Sequence, residues 1–198
     1  MKYYKHIEID NYQTIRENSV RFVLDKYLVK THSSFRQFDW NLYVQYCPEI
    51  VPALAKYDLV PYGGFVYTIN SQDSSPLHID YISDVYNKCR INIPIFNCEH
   101  SKTFYYKKID KDVQGTSVIQ SDIMFYSKES DTKTISYMKF DPNDPGLEKV
   151  DEMIVDRPTV IRVQEPHRVM IDSNHVPRVV LTIHTYKDPV YLLEDEND

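Results

Sequence analysis

The chain has 198 residues, of which 42% are hydrophobic and 26% charged, a composition that suggests one folded domain and excludes global disorder. Its formal net charge is −6, from 29 acidic and 23 basic residues, and this balance disfavours tight, non-specific binding to duplex nucleic acid. Cys47, Cys89 and Cys98 are odd in number and form no CxxC pair, which argues against a disulfide framework.

The N-terminal residues carry charges where a secretory signal peptide has an apolar stretch. No run approaches the ~20 apolar residues that a transmembrane helix needs. We therefore expect a soluble, cytoplasmic protein that has no membrane partner. The sequence leaves the oligomeric state open.

The first 60 residues are expected to form helical support for the rest of the domain. A short strand is predicted over 3–9, and Asp10 or Asn11 is expected to cap a helix whose apolar residues recur at helical spacing through 28. A second short helix is predicted to begin at Pro48 and to end near Tyr57, before a turn at 61–64.

From residue 65 onward, short runs rich in Val, Ile, Tyr and Phe alternate with turn residues. This succession predicts a β-sandwich or barrel and not alternating βαβ units. The predicted strands are 65–70, 77–81, 89–96, 102–107, 117–119, 122–126, 134–140, 159–163, 167–171 and 178–186. We expect a mainly β (α+β) fold that forms one domain over 1–198, with its β-core at about 61–187.

A polar stretch at about 127–158 lies within that β-core. It contains Pro142, the turn sequence Asp144-Pro145-Gly146 and Pro158. The stretch is predicted to be an inserted hairpin or a long loop on the rim of the core. Loops of that length in a compact domain are often functional lids.

His78 and Asp80 form the first part of a candidate metal site. Residues i and i+2 of a strand point to the same face, so these two side chains are expected to converge. The pattern is weak by itself, because seven histidines and 29 acids in 198 residues predict roughly one such pair by chance. His6 and Glu8 match it too, and we interpret His6 as a surface strand residue.

Two downstream residues extend the pattern. His167 opens a predicted strand, and Arg178 follows eleven residues later at the head of an apolar one. Burying an arginine in an apolar strand destabilises the fold unless the guanidinium pairs with an anion. A bound dicarboxylate would be such an anion, held by two parallel hydrogen bonds from the guanidinium. A rim arginine paired with a structural acid is the alternative interpretation.

The order His-x-Asp, then a distant His, then an Arg about ten residues on, resembles the iron(II)- and 2-oxoglutarate-dependent oxygenases. The flanking sequences 88–95 and 166–181 resemble strands of the aspartyl/asparaginyl and prolyl hydroxylase-like branches, and the resemblance covers about residues 60 to 187. It implies a double-stranded β-helix (jelly-roll, cupin-like) core. It also implies Fe(II) held by His78, Asp80 and His167, with 2-oxoglutarate and O2 as co-substrates and Arg178 on the distal carboxylate of 2-oxoglutarate.

The same resemblance implies that Tyr67, Arg90 and Asn92 contact the co-substrate, although each is also compatible with a structural role. Some family members place a serine two residues after the arginine, where this chain has Val180. Another hydroxyl, from Tyr67 or Thr182, is then expected to replace it.

The implied reaction is hydroxylation of an amino-acid or a peptide or protein side chain, with 2-oxoglutarate converted to succinate and carbon dioxide. Two alternatives stay open at the level of sequence. One is a non-catalytic jelly-roll protein with a binding or structural role, since the fold serves many functions. The other is a cupin-like metalloenzyme that does not use 2-oxoglutarate. His184 shares strand parity with Arg178 and is either a core histidine or a contact near the site.

Overall fold

The structure, a computed structural model, describes residues 1–27, 34–70, 75–80, 87–120, 135–172 and 174–194. Within these residues the α-helices are α1 (Tyr12–Lys26), α2 (Trp40–Tyr46) and α3 (Ile50–Ala55), with 3-10 turns at Cys98–His100 and Pro189–Leu192. The strands are β1 (Tyr4–His6), β2 (Ser34–Phe38), β3 (Pro61–Ile69), β4 (Leu77–Ile79), β5 (Cys89–Phe96), β6 (Ser101–Lys108), β7 (Thr116–Gln120), β8 (Ile135–Phe140), β9 (Leu147–Met153), β10 (Thr159–Arg162), β11 (His167–Ile171) and β12 (Arg178–Thr185).

The described strands form two antiparallel sheets, so the prediction of a mainly β fold is confirmed. Sheet 1 has the order β1-β10-β5-β12-β3-β2, and sheet 2 has the order β7-β8-β4-β11-β6-β9. Contacts between side chains of the two sheets make the arrangement a β-sandwich. Tyr105 and Met153 of sheet 2 pack with Ile161 of sheet 1 in one hydrophobic cluster.

Sheet 1 is buried on both faces, and β5 shows why. Ile91, Ile93 and Ile95 face the helices and join the main hydrophobic core with residues such as Ile15 and Phe22 of α1. The alternate residues of β5 face sheet 2. A strand that is covered on both sides is buried along its length, and β5 is buried from Cys89 to Ile95. The predicted strand 89–96 is confirmed.

The N-terminal third contains helices, as predicted, but it also contributes the two edge strands of sheet 1, β1 and β2. The first helix begins at Tyr12, next to Asn11, whose side chain makes no capping hydrogen bond. Helix α2 was not predicted. Its cap is Asp39, which accepts hydrogen bonds from the backbone N–H groups of Asn41 and Leu42 at 2.9 and 3.2 Å.

The polar stretch 127–158 supplies two strands of sheet 2. β8 lies between β7 and β4, whereas β9, which was not predicted, forms the opposite edge beside β6. The predicted strand 122–126 lies outside the described residues. Cys47, Cys89 and Cys98 are buried and form no disulfide, in agreement with the sequence analysis.

Among the described residues, no helix combines the length and apolar character that crossing a membrane requires.

Candidate metal centre

The backbone of sheet 2 brings His78 and His167 together. The two residues lie directly opposite each other where β4 pairs with β11. Leu77 and Ile79 are buried in a cluster on one face of β4, so the alternation of the strand turns His78 to the other face. Asp80 follows the strand, and its backbone N–H donates to the carbonyl of Val163 at 2.9 Å.

The three predicted ligands converge. One ligand atom each from His78, Asp80 and His167 lies within 4.8 Å of the other two. Nε2 of His78 is 3.3 Å from Oδ1 of Asp80, and the two imidazole centroids are 4.5 Å apart. The side chain of Asp80 is 36% exposed, so the cluster can be reached from solvent.

Backbone carbonyls determine which nitrogen of each imidazole faces the cluster. Nδ1 of His78 lies 2.8 Å from the carbonyl oxygen of Pro76, and Nδ1 of His167 lies 2.8 Å from that of Glu165. A carbonyl oxygen only accepts, so each Nδ1 must carry the proton. In the neutral form of each ring, Nε2 then presents a lone pair, which is the arrangement that metal-binding histidines adopt.

The charges of the cluster suit a cation. Burial alone would raise the pKa of Asp80, but hydrogen bonding to His78 and its charge outweigh that effect and lower the pKa to about 2. Burial and the neighbouring His78 lower the pKa of His167 to about 4. At neutral pH the cluster therefore holds an ionised carboxylate and a neutral His167. Burial lowers the pKa of His78, but the hydrogen bond with Asp80 and the charge of Asp80 outweigh burial and raise it, so a bound metal would take the place of the proton between them. Two imidazoles and one carboxylate are the donor set of a facial iron(II) triad, so these residues fit the metal that the sequence predicts.

Arg178 lies inside the protein at the start of β12 and is 1% exposed. Its Nε donates to Oγ of Ser101 at 2.8 Å. Its Nη1 is buried and has no hydrogen-bond partner among the described residues. Those residues also supply no acidic side chain in an ion pair with Arg178, which disfavours the interpretation as a structurally paired rim arginine.

Tyr67 lies beside the position of the missing serine. β3 and β12 pair so that Tyr67 is opposite Val180. Burial raises the pKa of Tyr67, while the charge of Arg178 and a hydrogen bond from Ser75 act in the opposite direction. The hydroxyl of Tyr67 is therefore close to both Arg178 and Ser75.

Arg90 and Asn92 face the space between the sheets, as their shared parity predicts, but they make polar contacts with other groups of the protein. Nη1 of Arg90 donates to the carbonyls of Asn87 and Cys89 at 2.8 and 3.1 Å. Oδ1 of Asn92 accepts from the hydroxyl of Thr182 at 3.0 Å. Since Thr182 is engaged there, Tyr67 is the better candidate for the replacement hydroxyl. Co-substrate contacts by Arg90 and Asn92 stay predictions.

His184 faces the same interior as Arg178, in agreement with its parity. Burial and the charge of Arg90 lower the pKa of His184 to about 3, and its ring packs 5.1 Å from that of Phe65. The sequence analysis missed Ser101 and Ser75. No spacing rule marks either serine, because each contacts its partner across a loop or from the opposite sheet.

A search of protein-family models and of curated proteins found no match to this chain.

Proposed function

We propose that this protein is a non-haem Fe(II)- and 2-oxoglutarate-dependent oxygenase that hydroxylates an amino-acid or a peptide or protein side chain. In the overall reaction, the substrate C–H, O2 and 2-oxoglutarate become the substrate C–OH, succinate and CO2. The proposal takes the core to be a double-stranded β-helix, a jelly roll.

The path of the chain supports that core. Apart from the additional strands β7 and β8 and the edge strand β9, the chain alternates between the sheets from β3 to β12. β3, β5, β10 and β12 belong to sheet 1, and β4, β6 and β11 belong to sheet 2. Closed alternation of this kind, with antiparallel neighbours, is typical of jelly rolls.

One observation carries the functional proposal: a two-histidine, one-carboxylate cluster shares the interior of the sandwich with a buried arginine that has a free donor. His78, Asp80 and His167 offer two nitrogens and an oxygen toward one point. Arg178 offers Nη1 without a partner among the described residues. A buried cation with an unused donor is costly, and a ligand carboxylate would satisfy it.

Each of these residues has a distinct role in the proposal. His78, Asp80 and His167 would hold the metal through two imidazoles and one carboxylate. When bound, iron(II) supplies the redox chemistry with O2 and 2-oxoglutarate that no side chain provides. Arg178 binds the distal carboxylate of the co-substrate and so fixes the position of the co-substrate relative to the metal site. Burial strengthens that charge-assisted contact, because water does not compete for it.

Tyr67 is assigned as the hydroxyl that completes the carboxylate site. The backbone N–H of Val169 donates to Oγ of Ser75 at 2.6 Å, and Ser75 lies beside Tyr67. The hydroxyl of Tyr67 can donate its proton to an acceptor in the space between the sheets. A carboxylate beside Arg178 would be that acceptor.

The test is anaerobic loading with Fe(II), followed by measurement of succinate formed from 2-oxoglutarate after air is admitted. We expect about one equivalent of bound iron and iron-dependent succinate formation, and we expect Asp80→Ala to abolish both. His6→Ala is the matched control, because His6 and Glu8 repeat the His-x-acid spacing away from the site. Full turnover by Asp80→Ala would overturn the proposal.

The same experiment separates the alternatives. Failure of the wild-type protein to bind iron would favour a non-catalytic binding or structural protein. Iron binding without any affinity for 2-oxoglutarate would favour a cupin-like enzyme that uses another co-substrate.

A further inference from the structure

Val180 stands where some 2-oxoglutarate oxygenases have a serine, and the structure supplies a different serine near the same arginine. Ser101 is the first residue of β6 and lies opposite Ile171 of β11. It belongs to sheet 2, whereas Arg178 belongs to sheet 1, and the two are 77 residues apart in the chain. Ser101 is 4% exposed, so its hydroxyl must find partners within the protein.

The hydrogen-bond directions around Ser101 follow from its partners. Arginine only donates, so Oγ of Ser101 accepts from Nε of Arg178 at 2.8 Å. A carbonyl only accepts, so the single hydroxyl proton of Ser101 goes to the carbonyl of Cys98 at 2.8 Å. With its proton committed, Ser101 cannot also donate to a bound carboxylate.

The turn that precedes β6 also holds the backbone on both sides of Arg178. Nδ2 of Asn97 donates to the carbonyl of Pro177 at 2.9 Å. Sγ of Cys98 lies 3.0 Å from the carbonyl oxygen of Val179. Three successive contacts, from Asn97, Cys98 and Ser101, therefore fix the backbone and the guanidinium of one arginine.

We propose that Ser101 is a positioning residue that orients the guanidinium of Arg178 toward the distal carboxylate of the co-substrate. It supports the carboxylate site indirectly, by holding Nε and leaving Nη1 free for the ligand, whereas Tyr67 supplies the hydroxyl. This inference rests on the proposed function. If Ser101 has this role, a residue of sheet 2 determines whether the site prefers a dicarboxylate over a 2-oxo acid with an apolar tail.

The test compares two ligands of the same length on anaerobic, Mn(II)-loaded protein. 2-Oxoglutarate and 2-oxopentanoate share the 2-oxo acid end and differ only in having a distal carboxylate or a methyl group. Isothermal titration of wild type should show clear preference for 2-oxoglutarate. We expect Ser101→Ala to weaken 2-oxoglutarate binding about 10-fold or more, the usual effect of losing a hydrogen bond to a charged group, without changing the affinity for 2-oxopentanoate or Mn(II).

Two further variants separate orientation from folding. Ser101→Thr keeps the hydroxyl and should recover most of the 2-oxoglutarate affinity. Ser19→Ala removes another fully buried serine hydroxyl, which bonds to Ile15 and Tyr43 in the helical layer, and should leave the preference between the two ligands unchanged.

Wild-type affinity for 2-oxoglutarate in Ser101→Ala would overturn the inference. So would an equal loss of affinity for both ligands, which would indicate a general structural role for Ser101. If wild type itself fails to prefer 2-oxoglutarate over 2-oxopentanoate, the proposed co-substrate is wrong, and that outcome is visible before any Ser101 variant is made.

Discussion

At the scale of single residues, Arg178 is a positive charge held inside the protein. Its exposure is 1%, and Nη1 lacks a partner among the described residues. A buried charge whose donors are not all satisfied reduces the stability of the folded state. Proteins retain such groups chiefly where function requires them.

The loss of stability that this buried charge causes can be tested with Arg178→Met, which keeps much of the side-chain volume and removes the charge. In the absence of ligand, the free energy of unfolding should rise by about 1 kcal/mol, because the buried uncompensated charge is gone. Binding of 2-oxoglutarate should be lost. Urea denaturation and isothermal titration measure the two effects, and a destabilisation of several kcal/mol would instead indicate a structural ion pair.

At the scale of elements, the pairing of β3 with its neighbours depends on one glycine. A Cβ atom on Gly64 would lie 2.3 Å from the backbone oxygen of Thr182 in β12 and 2.6 Å from the ring of Phe38 in β2. A Cβ on the adjacent Gly63 would meet no heavy atom within 4 Å. The two neighbouring glycines therefore form a matched pair for mutation.

We predict that Gly64→Ala lowers the free energy of unfolding by about 2 kcal/mol or more, because a backbone oxygen cannot move aside cheaply. Gly63→Ala should change it by less than about 1 kcal/mol. Chemical denaturation of both variants measures the difference. Equal effects would mean that β3 does not approach β12 and Phe38 as closely as the structure has it.

Sequence reasoning missed β9 because the contacts that stabilise this strand are not local in the chain. β9 has the sequence LEKVDEM, whose acids are poor strand formers by themselves. In the sheet, Glu152 lies 2.7 Å from the ammonium groups of both Lys102 and Lys149. The neighbours that make this segment a strand come from β6, distant in the chain, so a local pattern does not contain them.

At the scale of the whole molecule, the candidate metal centre joins parts of the chain that are far apart. His78 and His167 lie on β4 and β11, and the backbone of Asp80 is tied to Val163. A metal that binds only when these strands are assembled stabilises the folded state.

Mn(II) at 100 times its dissociation constant should therefore raise the free energy of unfolding by about 2.7 kcal/mol, and a chelator should reverse the effect. Asp80→Ala should abolish this metal-dependent increase, whereas His6→Ala should retain it. Thermal denaturation with and without the metal provides the measurement. An equal increase in Asp80→Ala would place the bound metal elsewhere.

Features that depend on local periodicity could be predicted from the sequence alone. The period of two in a strand predicted that His78 and Asp80 share a face, and that Arg178 and His184 share one, because alternation needs no knowledge of the partner strand. Short runs rich in Val, Ile, Tyr and Phe also predicted strands at 89–96 and 178–186, and β5 and β12 confirm these two.

The contacts across the sandwich, by contrast, could not be predicted from the sequence. The contact of Ser101 with Arg178, the link from Ser75 to Tyr67 and the place of β9 all join segments whose proximity is set by how the sheets pack. Hydrogen bonds depend on distances of about 3 Å in space and not on spacing in the chain. The hydrogen bond from Arg178 to Ser101 was therefore invisible until sheet 1 and sheet 2 were brought together.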